Sequence, residues 1–254
     1  MKSHESRHRS EATPESKTNL AAWKPKTEIG KLVKEGKIAD IDDLLDAGQN
    51  ILEAEIVDTL LPGLETELLL VGQSKGKFGG GQRRVFKQTQ KKTAEGNRPK
   101  FSTVAVVGNR NGYVGIGFGK AKETVPAREK AIRAAKLNVF KIRRGAGSWQ
   151  DSSDVPHSIP FAVEGRSGSV RIRLLPAPRG TGLCIQRELK KILALAGIEN
   201  IWSKSHGKKD TTLNLIRACD IALKRLMKVK LQNTMNIIEG RYERNIKKEF
   251  EEAQ

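Results

Sequence analysis

Glycine loops, histidines and cysteines are the residues of this chain whose spacing invites chemistry. In Gly115-Ile-Gly117-Phe-Gly119-Lys120 the glycines strictly alternate, which fits neither the dinucleotide fingerprint nor a P-loop. The segment Gly72-Gln-Ser-Lys-Gly76-Lys77-Phe78 fails the P-loop spacing and lacks its Ser or Thr. Pro178-Arg179-Gly180-Thr181-Gly182-Leu183 is the better candidate. If it opens a helix, it presents free backbone N–H groups and an Arg to an anion, either a nucleotide phosphate or an RNA phosphate. A kinase would also need magnesium carboxylates and a base. The acids of this half (Asp151, Asp154, Glu164, Glu188, Glu199, Asp210, Asp220) show no paired spacing, so RNA phosphate is the preferred ligand.

The remaining candidates support no catalysis. His157 and His206 belong to no Ser–His–Asp or Cys–His arrangement. Cys184 and Cys219 form no spaced metal set, and Cys219 falls on the apolar face of a helix. His4 and His8 stand four apart without a helix signal around them. The acids Asp40, Asp42, Asp43 and Asp46 do not follow EF-hand spacing and read as a solvated helix face. The sequence therefore calls for no catalytic residue, metal or cofactor.

The elements that would position any site fall into two blocks. Residues 1–26 are polar and aperiodic and read as a disordered tail. Order begins near Trp23 to Lys34. Asp40 is placed to cap a helix carrying Ile41, Leu44 and Leu45, and Glu53 to Leu61 reads as another, stopped by Pro62. Phe101 to Gly108 is β-rich, and Asn111-Gly112 signals a hairpin into the strand Tyr113 to Gly119. On that strand Val114, Ile116 and Phe118 share one face and the three glycines the other. The bare face suits either a helix packed close or a closely approaching RNA. Thr124 is placed to cap a helix with a buried stripe of Val125, Ile132, Ala135 and Val139. This first block, 27–144, has the order of a double-stranded-RNA-binding α/β sandwich.

Residues 145–154 read as a linker. The second block, 155–230, is predicted to hold strands at Ile159 to Glu164 and Ser169 to Leu175, then the glycine loop opening a helix on Leu189, Ile192, Leu193 and Ala196. A strand at Ile198 to Ser203 follows, and then a helix capped by Asp210 with Leu213, Ile216, Cys219, Leu223 and Leu226 inward. Residues 231–254 form a charged tail. The fold class is thus α+β, an N-terminal α-β-β-β-α unit followed by a β-β-α-β-α unit.

Charge indicates the partner. Lys and Arg number 47 against 29 Asp and Glu, a formal +18 over 254 residues. Such an excess repels itself unless a polyanion neutralises it. The stretch Lys75 to Lys100 alone carries nine basic residues and one acid, Glu95. A membrane surface is the weaker candidate, because apolar runs such as 192–196 fall far short of the roughly 20 residues of a spanning helix. Met1 to Ser10 is polar, with no apolar segment of a secretory signal after it, so a cytosolic protein with reduced thiols is expected.

Three long motifs, Pro156-His-Ser-Ile-Pro160, Gly165-Arg-Ser-Gly-Ser-Val-Arg-Ile-Arg-Leu-Leu-Pro-Ala-Pro-Arg-Gly-Thr-Gly182 and Ala196-Gly-Ile-Glu-Asn-Ile-Trp-Ser-Lys-Ser-His-Gly207, closely resemble the S-five family of small-subunit ribosomal proteins, called S-two in eukaryotes. Asp210-Thr-Thr-Leu-Asn-Leu-Ile-Arg-Ala218 continues the match. The first block joins it through Gln90-Lys-Lys-Thr93, Gly96, Phe101, Val106-Val107-Gly108 and Gly119-Lys120-Ala-Lys-Glu123. The similarity runs from about Ile38 to Met227, with an archaeal pattern. Residues 71–84 resemble an insertion relative to the usual family pattern.

The resemblance implies a structural, cytoplasmic, ribosome-bound constituent of the small subunit. It would sit on ribosomal RNA beside the S-four, S-three and S-eight proteins, its first-unit hairpin (about Lys91 to Lys100) near the messenger RNA entry path and a site of translational fidelity. Anchoring to phosphates is expected from Lys87, Lys91, Lys92, Arg98, Lys100, Arg110, Lys120, Lys122, Arg128, Arg133, Lys136, Arg143, Arg144, Arg166, Arg171, Arg173 and Arg179. Aromatics are only 5% of residues, which disfavours a binder built on base stacking. Two rivals share parts of the pattern: a small-molecule kinase using the second block's glycine loop, and a double-stranded-RNA adaptor outside the ribosome.

Overall fold

The structure is a computed structural model that describes residues 23–73, 83–146, 156–229 and the backbone at 238–239. Both expected tails lie largely outside these residues, as do 74–82 of the insertion and 147–154 of the linker.

Three short helices lead the chain: α1 (Glu28–Lys34), α2 (Ile41–Asp46) and α3 (Ala54–Leu60). Asp40 occupies the N-cap position of α2 but makes no side-chain capping bond. The acids beside it are not merely solvated. Asp42 accepts the Tyr113 hydroxyl at 2.8 Å, and the buried Lys141 ammonium lies 2.5 Å from Asp46 and 4.0 Å from Asp42. Glu53 fastens the chain entry. Its carboxylate accepts the Trp23 indole N–H at 2.8 Å and the backbone N–H groups of Lys26 and Thr27 at 2.9 and 2.7 Å. Burial alone would push the Glu53 pKa up, but these donors outweigh it and hold the carboxyl below its ordinary range.

The first sheet has the order β1 (Glu65–Leu69), β3 (Gly96–Gly108), β4 (Tyr113–Ala121), β5 (Val139–Lys141), with β2 (Lys87–Thr93) pairing the first half of β3. The three expected strands are therefore joined by β1 and β5. Helix α4 (Thr124–Leu137) lies on one face. Its N-cap position belongs to Glu123, not Thr124, and its buried stripe is Ala127, Ala131 and Ala135. Val125 is 64% exposed, and Val139 has already left the helix for β5. Of the expected stripe Ala135 is buried and Ile132 half-buried, while Ala127 and Ala131 stand in place of Val125 and Val139 because the opposing surface is the bare glycine face of β4. A Cβ at Gly117 would collide with the backbone of Ala131, Ala134 and Ala135, and one at Gly119 with that of Ala127 and Ala131. Close helix packing, one of the two readings of that face, is what the glycines serve.

The strand β6 (Arg143–Arg144) pairs β11 (Ile238–Glu239). The second sheet has the order β7 (Val163–Ser167), β8 (Val170–Pro176), β10 (Ile201–His206), β9 (Leu183–Cys184). Helices α5 (Arg187–Leu195) and α6 (Thr212–Lys228) cover its inner face, with α6 seated on Gly165 through the backbone of Ala218 and Ala222. Thr211 takes the N-cap position of α6. Asp210 instead lies in the preceding turn, where its carbonyl accepts Arg83 at 3.1 Å. The same two helices meet the face of the first sheet that carries Val104, Val106, Val114 and Ile116, so one apolar core runs through both units. The layers are α4, first sheet, α5 with α6, and second sheet.

Two measurements test this packing. Gly117→Ala should lower stability by about 2–3 kcal/mol in urea unfolding, because the helix backbone must lift off the strand. The depressed Glu53 pKa contributes stability that is full above the ordinary carboxylate range and lost as pH falls through its folded value. Glu53→Gln should therefore flatten the acid limb of the stability profile and cost about 1–2 kcal/mol at neutral pH.

Candidate nucleic-acid interface

The basic residues separate by layer. The ribbon of β2 and β3 extends past the sheet, with Thr89 opposite Lys100, Lys91 opposite Arg98 and Lys87 opposite Ser102; Ser102 in turn faces Lys120. Residues opposite one another share a face, so Lys87, Lys91, Arg98 and Lys100 line one side of the ribbon and Lys120 of β4 continues it, all exposed. Lys92 points from the other side. The single acid at the tip, Glu95, pairs with Arg98. The same face continues to Phe118, over whose ring the Arg217 guanidinium stands at 4.9 Å.

A second basic surface is the solvent side of the second sheet. Alternation on β8 buries Val170, Ile172 and Leu174 and turns Arg171 and Arg173 outward. Cross-strand register sets Arg166, Arg171 and His206 in one row and Glu164, Arg173 and Lys204 in the next. Arg128 and Arg133 are exposed on the outer side of α4, and Lys122 in the turn before it, with two sheets and a helix layer between them and the Arg171 face. The sequence-derived residues are thus not one patch.

Several have internal work. Lys136 is held by Asp58 at 2.6 Å, its side chain only 17% exposed. Arg110 pairs with Glu65 at 2.8 Å while staying exposed. Arg143 donates to the Val229 carbonyl at the end of α6. Arg144 is 5% exposed, and its guanidinium donates to the carbonyls of Arg110 and Gly197 at 3.4 and 3.3 Å. Burial lowers its pKa, partly offset by the charge of Glu199 and by Tyr113. The turn it holds is strained: Arg110 has φ 60°, stabilised by its N–H to Leu195 O at 2.9 Å and by the Asn109 side chain accepting from Asn111 and Tyr113.

The glycine loop does not open a helix. Residues 178–182 run into β9, and α5 begins at Arg187, capped by the Gln186 side chain. The expected anion site at a helix N-terminus is therefore not formed by Arg179, which is exposed in the loop. The loop is fixed by architecture instead. Buried Asn200 accepts Gly182 N–H at 2.8 Å and meets His157 Nδ1 at 3.0 Å, while the Ser158 hydroxyl donates to Asn200 O at 2.6 Å. His157 is buried in this clasp. Cys219 is buried too, its thiol pushed up to about 12 by burial and by the Asp220 carboxylate. Sequence reasoning missed Lys204 and Trp202 on the second sheet's outer face. Their signal was the alternation of Ile201 to His206, obscured by placing that strand three residues early.

Among the described residues there is no cluster able to hold a metal ion, and no helix is long and apolar enough to cross a membrane. Two α/β units are fused through one core, in which His157, Cys219 and Glu188 are buried, and many of the cations lie on the outer surfaces. Residues 82–143 match the family model for ribosomal protein S5, N-terminal domain, and residues 165–238 that for its C-terminal domain. The chain belongs to the S5 family of small-subunit ribosomal proteins. It is 48% identical over 214 residues to small ribosomal subunit protein uS5 of Nanoarchaeum equitans, covering 84% of this chain and 92% of that one. The uS5 protein of Methanocaldococcus jannaschii is 45% identical over 227 residues, 88% of this chain and 98% of the relative. That of Pyrobaculum aerophilum is 47% identical over 213 residues, 84% and 91%. The archaeal pattern and the non-enzymatic character read from the sequence are those of these relatives.

The two roles of arginine are separable by experiment. Arg144→Ala should lower stability by about 2–3 kcal/mol, the scale of buried hydrogen bonds to a charged group, measured by denaturant unfolding. The same variant should leave the salt dependence of RNA binding unchanged, because its guanidinium is spent on protein carbonyls.

Proposed function

We propose that this chain is a cytoplasmic, ribosome-bound constituent of the small subunit that holds ribosomal RNA through phosphate contacts. The observation that carries the reading is the β2–β3 ribbon, which sets four cations on one exposed face, continued by Lys120 of β4, with a single acid at its tip. A ribbon of two strands has no core of its own, so its cations stand clear of the protein and gain little from folding. They gain from a polyanion, through release of condensed counterions. Arg166, Arg171, Arg173 and Arg179 give the second unit a separate contact, and Lys122, Arg128 and Arg133 a third. Lys136 and Arg144 serve the protein's own structure.

Phosphate contacts of this kind fix register and orientation and carry little base information. On an A-form helix, shape and 2′-hydroxyls do the discriminating. Binding through three separated surfaces suits a protein that ties RNA segments together during assembly. By family resemblance, the ribbon lies near the messenger RNA entry path and the neighbours are the S-four, S-three and S-eight proteins, where the ribbon supports accurate decoding.

Sucrose-gradient sedimentation of lysate at low and high salt tests the reading. The chain should travel with the small subunit and leave only at high salt; finding it at the top of the gradient at all salts would overturn the assignment. Replacing Lys87, Lys91, Arg98 and Lys100 with Gln should lower the slope of log affinity against log salt by about 3, four lost contacts at roughly 0.7–0.9 each. Stop-codon read-through measured in cells carrying that variant should change if the ribbon lies by the decoding path.

A further inference from the structure

We infer that the outer face of the second sheet binds an unpaired RNA nucleotide, with its base stacked on Trp202 and the flanking phosphates on Arg173 and Lys204. The inference rests on the RNA-binding reading above and adds to it a kind of contact that phosphate anchoring does not contain.

Trp202 is 44% exposed on β10, a strand whose neighbours Ile201 and Ser203 turn inward or are partly covered. An indole is the most costly side chain to leave in water, and here it stands in the middle of a sheet rather than at its margin. Register places Leu175 on β8 and Cys184 on β9 to either side of it, an apolar row of three. Two residues further along the strands, about 6.7 Å away, comes the row Glu164, Arg173, Lys204, and beyond it Arg166, Arg171, His206. An apolar strip with an indole at its centre thus borders a field of four Lys and Arg whose one acid, among the described residues, is Glu164.

That combination selects its occupant. A protein partner would need a matching acidic surface beside an apolar one, and interfaces of ordinary composition are depleted in Lys. A polynucleotide presents both requirements in every residue, a π-face and a phosphate. The spacing between the rows matches the reach from one base to the phosphates beside it. A closed duplex cannot use the site, because its base faces are already stacked on one another. The nucleotide must be unpaired, in a loop, bulge or strand end, where RNA is commonly read by aromatic side chains. The low aromatic content of the chain argues against a binder built on stacking throughout. It leaves room for one such contact on a surface otherwise made for phosphates.

The test compares two hairpin RNAs, one fully paired and one carrying a single bulged uridine, with full-length wild-type protein and the variants W202A and W202F, each checked for folding by circular dichroism. The basic surfaces contribute to both RNAs, so the affinity ratio isolates the stack. Wild type should prefer the bulged hairpin by about tenfold, the scale of one base–aromatic stack. W202F should keep most of that preference, and W202A should lose it while binding the paired hairpin as before. Equal preference for the bulge in wild type and W202A would overturn the stacking site and leave the RNA reading standing. So would W202A leaving the small subunit at lower salt with its preference for the bulge intact, the mark of a protein neighbour on Trp202. Failure of wild type to bind either hairpin at low salt would instead remove the RNA reading itself.

Discussion

Helix backbone laid directly on strand backbone is the contact from which the rest of the molecule follows. In the first unit α4 meets β4 through Ala127, Ala131 and Ala135 against Gly115, Gly117 and Gly119. In the second, α6 meets β7 through Ala218 and Ala222 against Gly165. Neither contact has room for a side chain on the strand. The approach sacrifices the apolar area that larger residues would bury, but it thins the first unit. Val104 and Val106 of β3 and Val114 and Ile116 of β4 point the other way, toward α5 and α6, while Val107 and Tyr113 stay on the face that α4 and the leading helices cover. That is why two α/β units can share a single core, with Val104, Val106, Val114 and Ile116 in the same cluster as Leu189, Ile192 and Leu223.

Fusion of the units is completed at one turn. Residues 109–112 between β3 and β4 press on the end of α5, where Gly108 and Gly197 leave space for the backbones of Leu195 and Arg110. The carbonyls brought together there would be buried without donors, and Arg144 supplies them. A cation beside the C-terminal end of a helix is also favoured by the helix dipole. Lys141 plays a comparable part between β5 and α2, and Lys136 between α4 and α3. Cations are thus used in two ways. Some are drawn inward where carbonyls or carboxylates converge, and the others are left on the outermost surfaces, on the ribbon, on α4 and on the open sheet.

The outward cations owe their grouping to strand alternation. A residue on β8 that is two positions from another shares its face, and the register with β7 and β10 extends each position into a row. The order Val170 to Leu174 therefore does two jobs at once, filling the core with one set of side chains and presenting Arg171 and Arg173 with the other. On the ribbon the same alternation separates Lys91 from Lys92 although they are neighbours in sequence.

Much of this was legible in the sequence alone. Alternation and glycine placement determined the strands, helical periodicity located α5 and α6, and the excess of Lys and Arg pointed to a polyanionic partner. Those signals are local, written into residues a few positions apart. What only the tertiary structure decided depends on segments far apart in the chain. The stripe of α4 had to be Ala127, Ala131 and Ala135 because of glycines on another element, and the glycine loop was drawn into β9 instead of opening α5. Arg144 looks in sequence like one more surface cation beside Arg143. It is buried because the Arg110 turn and the end of α5 converge on it. Trp202 carries no local signal of its side, and the register of β10 turned it outward among arginines.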